Sequence, residues 1–200
     1  DEDPWGSTLN QDTLEANGIS YSIFDSSEMG SVDLSGYDKV VIASVQSSAF
    51  SNALAANRSW FEAYVYDGGV LDMHVAFQPD SSLEGQVLPG GFVCAWDDAD
   101  DVSIVDADHP VVTTPNLVTD GDLDGWNSST HGYFSVVPPE AQEIIEIAGS
   151  GLPCAMDLQW GAGRIFATLQ TVEWGGASPE YLENTLLCEG SATMFRVEGV

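Results

Sequence analysis

Positive charge is what this chain has least of. Four lysines and arginines stand against 32 aspartates and glutamates, a formal net charge of -28 over 200 residues. Such a surface repels polyphosphate and anionic lipid over any distance that salt does not screen, which excludes nucleic-acid binding. Lys39, Arg58, Arg164 and Arg196 are the whole supply of fixed cations. Most carboxylates therefore lack a partner of opposite sign and depend on water, salt cations or bound metal. That profile fits a halophilic or cation-rich setting. Long apolar runs are missing too, and residues 1–30 hold neither a basic nor an apolar leader region, so no membrane insertion is expected and any export signal has been removed. Cys94, Cys154 and Cys188 show no CxxC spacing, which leaves a zinc or redox motif unsupported, and three thiols allow at most one disulfide. Internal repeats and low-complexity blocks are absent.

What is present suffices for one folded domain over residues 1–200. Hydrophobic residues make up 44%, and six tryptophans and eight phenylalanines are spread among the carboxylates, a composition that disorder would not supply. Residues 36–77 organise the rest. Residues 39–45 are a short β-branched run of the kind buried on both faces of a sheet. Phe50, Leu54, Phe61 and Val65 then recur at helical spacing until Gly68-Gly69 stops the helix, and residues 70–76 are a second apolar run. Strand, helix and strand make a βαβ unit and imply parallel pairing.

Upstream, residues 7–17 read as a short helix closed by Gly18, and residues 19–24 alternate as a strand does. The chain opens without the strand that normally precedes the first helix of such a fold, so the sequence is expected to start just after it. Residues 78–91 read as a loop, residues 102–105 as a strand, and residues 108–130 as a long loop. Residues 133–137 and 144–148 are further strands. Residues 153–160 and 164–169, linked by Gly161-Ala162-Gly163, form a C-terminal β-hairpin. Ser178-Pro179-Glu180 starts a last helix that runs to about Cys188.

The order of these pieces carries a resemblance. Gly18-Ile19-Ser20-Tyr21, then Leu34-Ser35-Gly36-Tyr37-Asp38-Lys39-Val40-Val41, Tyr66-Asp67-Gly68-Gly69 and Val70-Leu71-Asp72-Met73-His74 follow one another. Ala107-Asp108-His109-Pro110, Trp126 with His131-Gly132-Tyr133-Phe134, and Gly161-Ala162-Gly163-Arg164-Ile165 ahead of Glu173 continue the series. Together they resemble the class I glutamine amidotransferase-like superfamily, in its ThuA-like and β-galactosidase trimerisation-like branch. The resemblance implies an α/β fold, a flavodoxin-like three-layer sandwich with a mainly parallel sheet. It also places the nucleophilic cysteine of catalytic members at the position of His74. Glu173 keeps the family's glutamate, but Gln170-Thr171-Val172-Glu173 lacks the accompanying histidine. Glutaminase chemistry is thereby not expected, since the elbow offers no thiolate or hydroxyl.

Gln46, His74 and Glu173 each follow a strand read from the sequence, at the end where open α/β sheets form their ligand crevice. With His131 and Trp174 they would line a cleft of imidazole, carboxylate, amide and aromatic face suited to a carbohydrate or another polar small molecule. The plainer reading pairs His74 with Glu173 as a structural contact. Asp120, Asp122 and Asp124 stand in the D-x-D-x-D-G form of a calcium loop ending at Gly125, although His131 occupies the place of the closing bidentate glutamate, and a solvated acidic loop is the alternative.

The function these readings favour is a non-catalytic ligand-binding or interaction module of an extracellular or cell-surface protein, partnered by other domains or subunits of its assembly. Two sequons, at Asn57 and Asn127, agree with export. A hydrolase using a His74/Glu173 cleft on a glycoside or ester, and a structural surface-layer or filament subunit, are the alternatives. His74→Ala is expected to stay folded and lose ligand affinity. The charge imbalance itself predicts that the thermal midpoint rises with sodium chloride, as screening shortens the reach of carboxylate repulsion. A further rise at micromolar to millimolar calcium is expected only if Asp120, Asp122 and Asp124 share an ion. A midpoint flat in both salts would remove the argument about habitat.

Overall fold

The computed structural model describes residues 2–124, 126–174 and 178–188. Gly125, which ends the calcium-loop pattern, and Arg196 lie outside the described residues. Eight strands are formed: β1 (Lys39–Ile42), β2 (Val70–His74), β3 (Val93–Ala95), β4 (Val102–Ile104), β5 (Tyr133–Val136), β6 (Gln142–Ile147), β7 (Leu152–Trp160) and β8 (Gly163–Thr168). The helices are α1 (Leu9–Ala16), α2 (Ser48–Ala56), α3 (Arg58–Tyr66), α4 (Pro110–Thr113), α5 (Asp120–Leu123) and α6 (Pro179–Leu187).

Six strands make one sheet in the order β1-β2-β8-β7-β6-β4, and β3 pairs with β5 in a separate antiparallel ribbon. β1, β2 and β8 are parallel, and the β7–β8 hairpin reverses the chain before β6 and β4 add antiparallel. Four strands of the large sheet (β1, β2, β8 and β6) thus share a direction, and helices cover both faces.

The register gives the two faces different chemistry. Side chains alternate along a strand, and Val41, Asp72 and Phe166 stand side by side, as do Ile42, Met73 and Ala167. One face therefore carries Ile42, Leu71, Met73, Ile165 and Ala167, all buried, and α3 packs on it through Phe61 and Val65. The other carries Lys39, Asp72, His74, Arg164 and Asp157 beneath α6 and α4. Burying five ionisable side chains on one face is tolerated only if each finds a counter-charge or hydrogen bond.

Several elements depart from the sequence reading. β1 is an edge strand, half-buried over Lys39, Val40 and Val41, rather than a strand covered on both faces. Residues 19–24 form no ladder, and the one backbone hydrogen bond printed for them runs from Ile19 N–H to the Leu14 carbonyl (2.9 Å) at the end of α1. The central helix is two helices that meet at Asn57, whose side chain donates to the Ala53 carbonyl (2.9 Å) and competes with the helical ladder. Phe50, Leu54, Phe61 and Val65 are nonetheless all buried, as their spacing requires. The long loop of residues 108–130 contains α4 and α5, and β3 lies in a stretch with too few residues for a periodic signal.

The link between β7 and β8 lies tight against the end of α3. A β-carbon at Gly163 would sit 2.1 Å from the Gly69 carbonyl oxygen and 2.3 Å from that of Val65, both backbone atoms. Gly163→Ala is therefore expected to destabilise the fold by roughly 3 kcal/mol, measured as a lower urea midpoint. A midpoint equal to that of the parent would show that α3 is free to shift.

Candidate functional site

The segments that leave β1, β2 and β8 at their C-terminal ends converge, as the crevice rule for open α/β sheets requires. They bring His74 and Glu173 together in the interior. The His74 ring stands between two carboxylates, with Nε2 3.1 Å from Asp72 Oδ1 and Nδ1 3.2 Å from Glu173 Oε1. The side chains are 0% and 1% exposed, so solvent reaches neither. The contacts are close but poorly aligned as hydrogen bonds, so they hold chiefly by charge. Burial on its own would drive the imidazolium to release its proton, but Asp72 and Glu173 outweigh it and raise the pKa from 6.5 to about 10. At neutral pH this ring is a cation.

The chain of charge continues on both sides. Asp72 Oδ2 lies 3.8 Å from Lys39 Nζ, and that ammonium donates to the carbonyls of Thr185 (2.6 Å), Leu186 (3.0 Å) and Cys188 (2.9 Å). Lys39 thus satisfies the orphan carbonyls at the end of α6, where a cation is also favoured by the helix dipole. Burial lowers the lysine pKa, with Asp72 opposing. Glu173 Oε2 accepts the backbone N–H of Ser44 (2.9 Å), and Oε1 accepts Asn10 Nδ2 from α1. Two cations and two carboxylates therefore bind β1, β2, α6, α1 and the segment after β8 into one neutral cluster.

Gln46 serves as a clamp. Its Oε1 accepts the Glu2 N–H (3.0 Å), and its Nε2 donates to the carbonyls of Glu2 (2.7 Å) and Ser44 (3.0 Å), which draws the N-terminal segment across the C-terminal edge of β1. His131 and Trp174 lie in a separate aromatic group. Trp5 meets the His131 ring edge-on at 6.0 Å and Trp174 at 6.1 Å, and Trp96 stands 5.3 Å from His131. Burial pushes the His131 imidazole down, with Asp98 (3.9 Å) opposing, so the ring is neutral at neutral pH. Trp174 is 49% exposed, which leaves an aromatic face open to solvent.

The five residues expected to share a cleft thus fall into three settings: a closed ionic cluster, a clamp and an open aromatic group. Asp72, Lys39, Asn10 and Trp5 were not singled out as site residues by sequence. Asp72 had a signal, as a charge inside the apolar run Val70-Leu71-Asp72-Met73, and Lys39 had one as a scarce cation at the head of another. Asn10 and Trp5 had none.

Asp120, Asp122 and Asp124 do not converge. Asp122 closes a capping box with Thr119 at the start of α5, Asp120 Oδ1 accepts the Ile104 N–H (2.8 Å), and Asp124 Oδ1 accepts that of Val102 (2.8 Å). Each carboxylate serves a different backbone donor, so the calcium-loop pattern here is the capping chemistry of a short helix. Among the described residues no group of three His, Cys, Asp or Glu side chains is arranged to hold a metal ion. A second buried cluster joins Arg164 to Asp157 through two hydrogen bonds, with His109 Nε2 3.5 Å from Asp157 Oδ2. His109 Nδ1 accepts the Val111 N–H (3.2 Å), so this cluster ties α4 to the hairpin. Among the described residues no helix is long and apolar enough to cross a membrane.

The fold is a mixed α/β, flavodoxin-like one. No family model matches the chain. It is 28% identical over 192 residues to an uncharacterised protein of Clostridium acetobutylicum, a match that takes in 93% of this chain and 19% of that protein. The chain thus spans about a fifth of the length of that relative. Among solved structures, a cytoplasmic protein of Salmonella typhimurium, STM3548, superposes with a TM-score of 0.57 at 17% identity, over 92% of this chain and 86% of that one. A β-galactosidase from Rahnella sp. R3 gives 0.54 at 15% identity, over 88% of this chain and 25% of the enzyme. A second Salmonella typhimurium cytoplasmic protein, STM1381, gives 0.57 at 16%, over 90% and 84%. At these identities the likeness is one of fold.

Burial of His74 changes what its removal should do. His74→Ala takes away the cation between Asp72 and Glu173 and leaves Asp72 with Lys39 alone and Glu173 with only the neutral donors of Ser44 and Asn10, a loss of about 3 kcal/mol rather than the silent change expected from an open cleft. Since the folded pKa lies above the unfolded one, the stabilisation is complete below pH 6.5 and fades as pH rises through about 10. Urea unfolding across that range should show the decline in the parent and its absence in His74→Ala. Equal stability of the two proteins at neutral pH would contradict the pairing.

Proposed function

We propose that this chain is a binding domain without catalysis of its own, of the ThuA-like and β-galactosidase trimerisation-like branch, within a longer acidic protein that acts outside the cell or at its surface. The observation that carries the proposal is His74. It ends β2, where the family's attacking cysteine would stand, and it is sealed from solvent between two carboxylates. An imidazolium held protonated by both neighbours has no lone pair to attack a carbonyl or accept a proton. Asn10 and the Gln46 clamp then close the space a substrate would need.

Binding falls to the aromatic group beside this closed elbow. Trp174 offers an open indole face, Trp5 backs it edge-on, and Asp98 and His131 supply polar groups at its margin. An exposed indole beside hydrogen-bonding groups suits the apolar face and hydroxyls of a sugar ring. Other domains or subunits of the parent assembly would present the ligand or share it. The net charge of -28 supports a salty or cation-rich surrounding, which an exterior location would supply and a halophile's cytoplasm would supply as well.

Two measurements test this. Titration with mannobiose, lactose and cellobiose, followed by tryptophan fluorescence, should show saturable binding of at least one of them, lost in Trp174→Ala. No response to any of the three would remove the carbohydrate assignment. His74→Cys should not produce glutaminase activity, whereas a covalent adduct on His74 from an activated ester would make the protein a hydrolase.

A further inference from the structure

The N-terminal ends of β1, β2 and β8 lie at the opposite edge of the sheet from Trp174, and a cavity of about 800 Å³ opens there. Its lining comes from the starts of those strands, from α3 and from the segment ahead of β1. The apolar part is aromatic, made by Tyr37, Trp60 and Tyr64. Tyr64 is fixed in place, because its hydroxyl donates to the Tyr37 carbonyl (3.1 Å) and its ring lies on Gly69, where a β-carbon would come within 2.1 Å of Tyr64 Cζ. The polar part is anionic, with Asp33, Asp38 and Asp67 all in the lining. Arg164 borders the cavity too, but its guanidinium is engaged by Asp157, while Lys39 is engaged by the end of α6 and Arg58 by Glu62.

Two features of this lining call for positive charge. Asp38 Oδ2 is shut off from solvent and accepts no hydrogen bond within the protein, a costly setting for a carboxylate oxygen. Asp67 caps the C-terminus of α3, the negative end of the helix dipole, where a cation is favoured and where the last turn has no basic residue. We propose that the cavity binds an organic polycation of the polyamine class, its ammonium groups at Asp38 and Asp67 and its methylene chain along Trp60 and Tyr64. The volume exceeds what a single metal ion fills, and among the described residues no group of three His, Cys, Asp or Glu side chains is arranged to hold one. Carboxylates beside aromatic rings match ammonium groups joined by an apolar chain, since the rings add cation–π attraction and cover the methylenes. This site shares no residue with the aromatic group at Trp174.

The test must separate this site from diffuse attraction to a net charge of -28. Spermidine is titrated into the whole chain by calorimetry at about 0.15 M sodium chloride, where distant surface charges are largely screened. A single saturable site is expected. Asp38→Asn and Asp67→Asn should each weaken it by roughly tenfold. Asp80→Asn removes the same charge from an exposed position outside the cavity lining and should change the affinity by less than about twofold. Asp67 is exposed, so its variant keeps the test decisive even where Asp38→Asn fails to fold. Equal losses in Asp67→Asn and Asp80→Asn, or binding that does not saturate, would overturn the proposal. So would displacement of spermidine by an equal concentration of magnesium chloride, since the site would then be one for a compact ion.

Discussion

A buried counter-charge requirement governs this fold. The face of the sheet that meets α6 and α4 carries Lys39, Asp72, His74, Asp157 and Arg164, and none of these is tolerable in the interior unless its neighbours neutralise it. Neutrality is reached by making the charges span elements: Lys39 closes α6, Glu173 draws in α1 and the backbone of Ser44, and Arg164 with Asp157 meets the cap of α4. The opposite face needs no such arrangement, because Phe61 and Val65 of α3 meet an ordinary aliphatic surface. In a chain with four fixed cations, two are committed to this interior. The surface carboxylates are left correspondingly bare.

That commitment also separates the closed structural centre from the open aromatic face at Trp174. The convergence of β1, β2 and β8 is the usual location for chemistry in open α/β sheets, but here it is occupied by the ionic cluster and roofed by the N-terminal segment. What remains open lies beside it, where Trp174 projects from the segment that follows β8.

Much of the architecture was legible in the sequence because local patterns there agree with the tertiary result. The strand within the β-branched run of residues 39–45, though shorter and at the sheet edge, the burial of Phe50, Leu54, Phe61 and Val65, and the Gly161-Ala162-Gly163 turn all appear where their patterns place them. Residues 19–24 were misread because alternation reports a strand's preference and not the presence of a partner. Asp120, Asp122 and Asp124 left two readings open for a related reason: the spacing that gathers carboxylates around an ion also suits helix capping, and the backbone donors they meet here are contributed by β4. The pairing of His74 with Glu173 was available as the plainer reading. Its meaning was not, because Asp72 and Lys39 lie on the same face only once the register of β1 and β2 is known.

The interior holds together only if His74 is a buried cation. Nitrogen-15 NMR of the histidine side chains measures this directly, since the two ring nitrogens report separately on protonation. His74 should show both nitrogens protonated at about pH 8 and should begin to titrate only as the pH approaches about 10. A His74 ring that titrates near the ordinary histidine value of 6.5 would contradict the account, because a neutral imidazole could not hold Asp72 and Glu173 together in the interior.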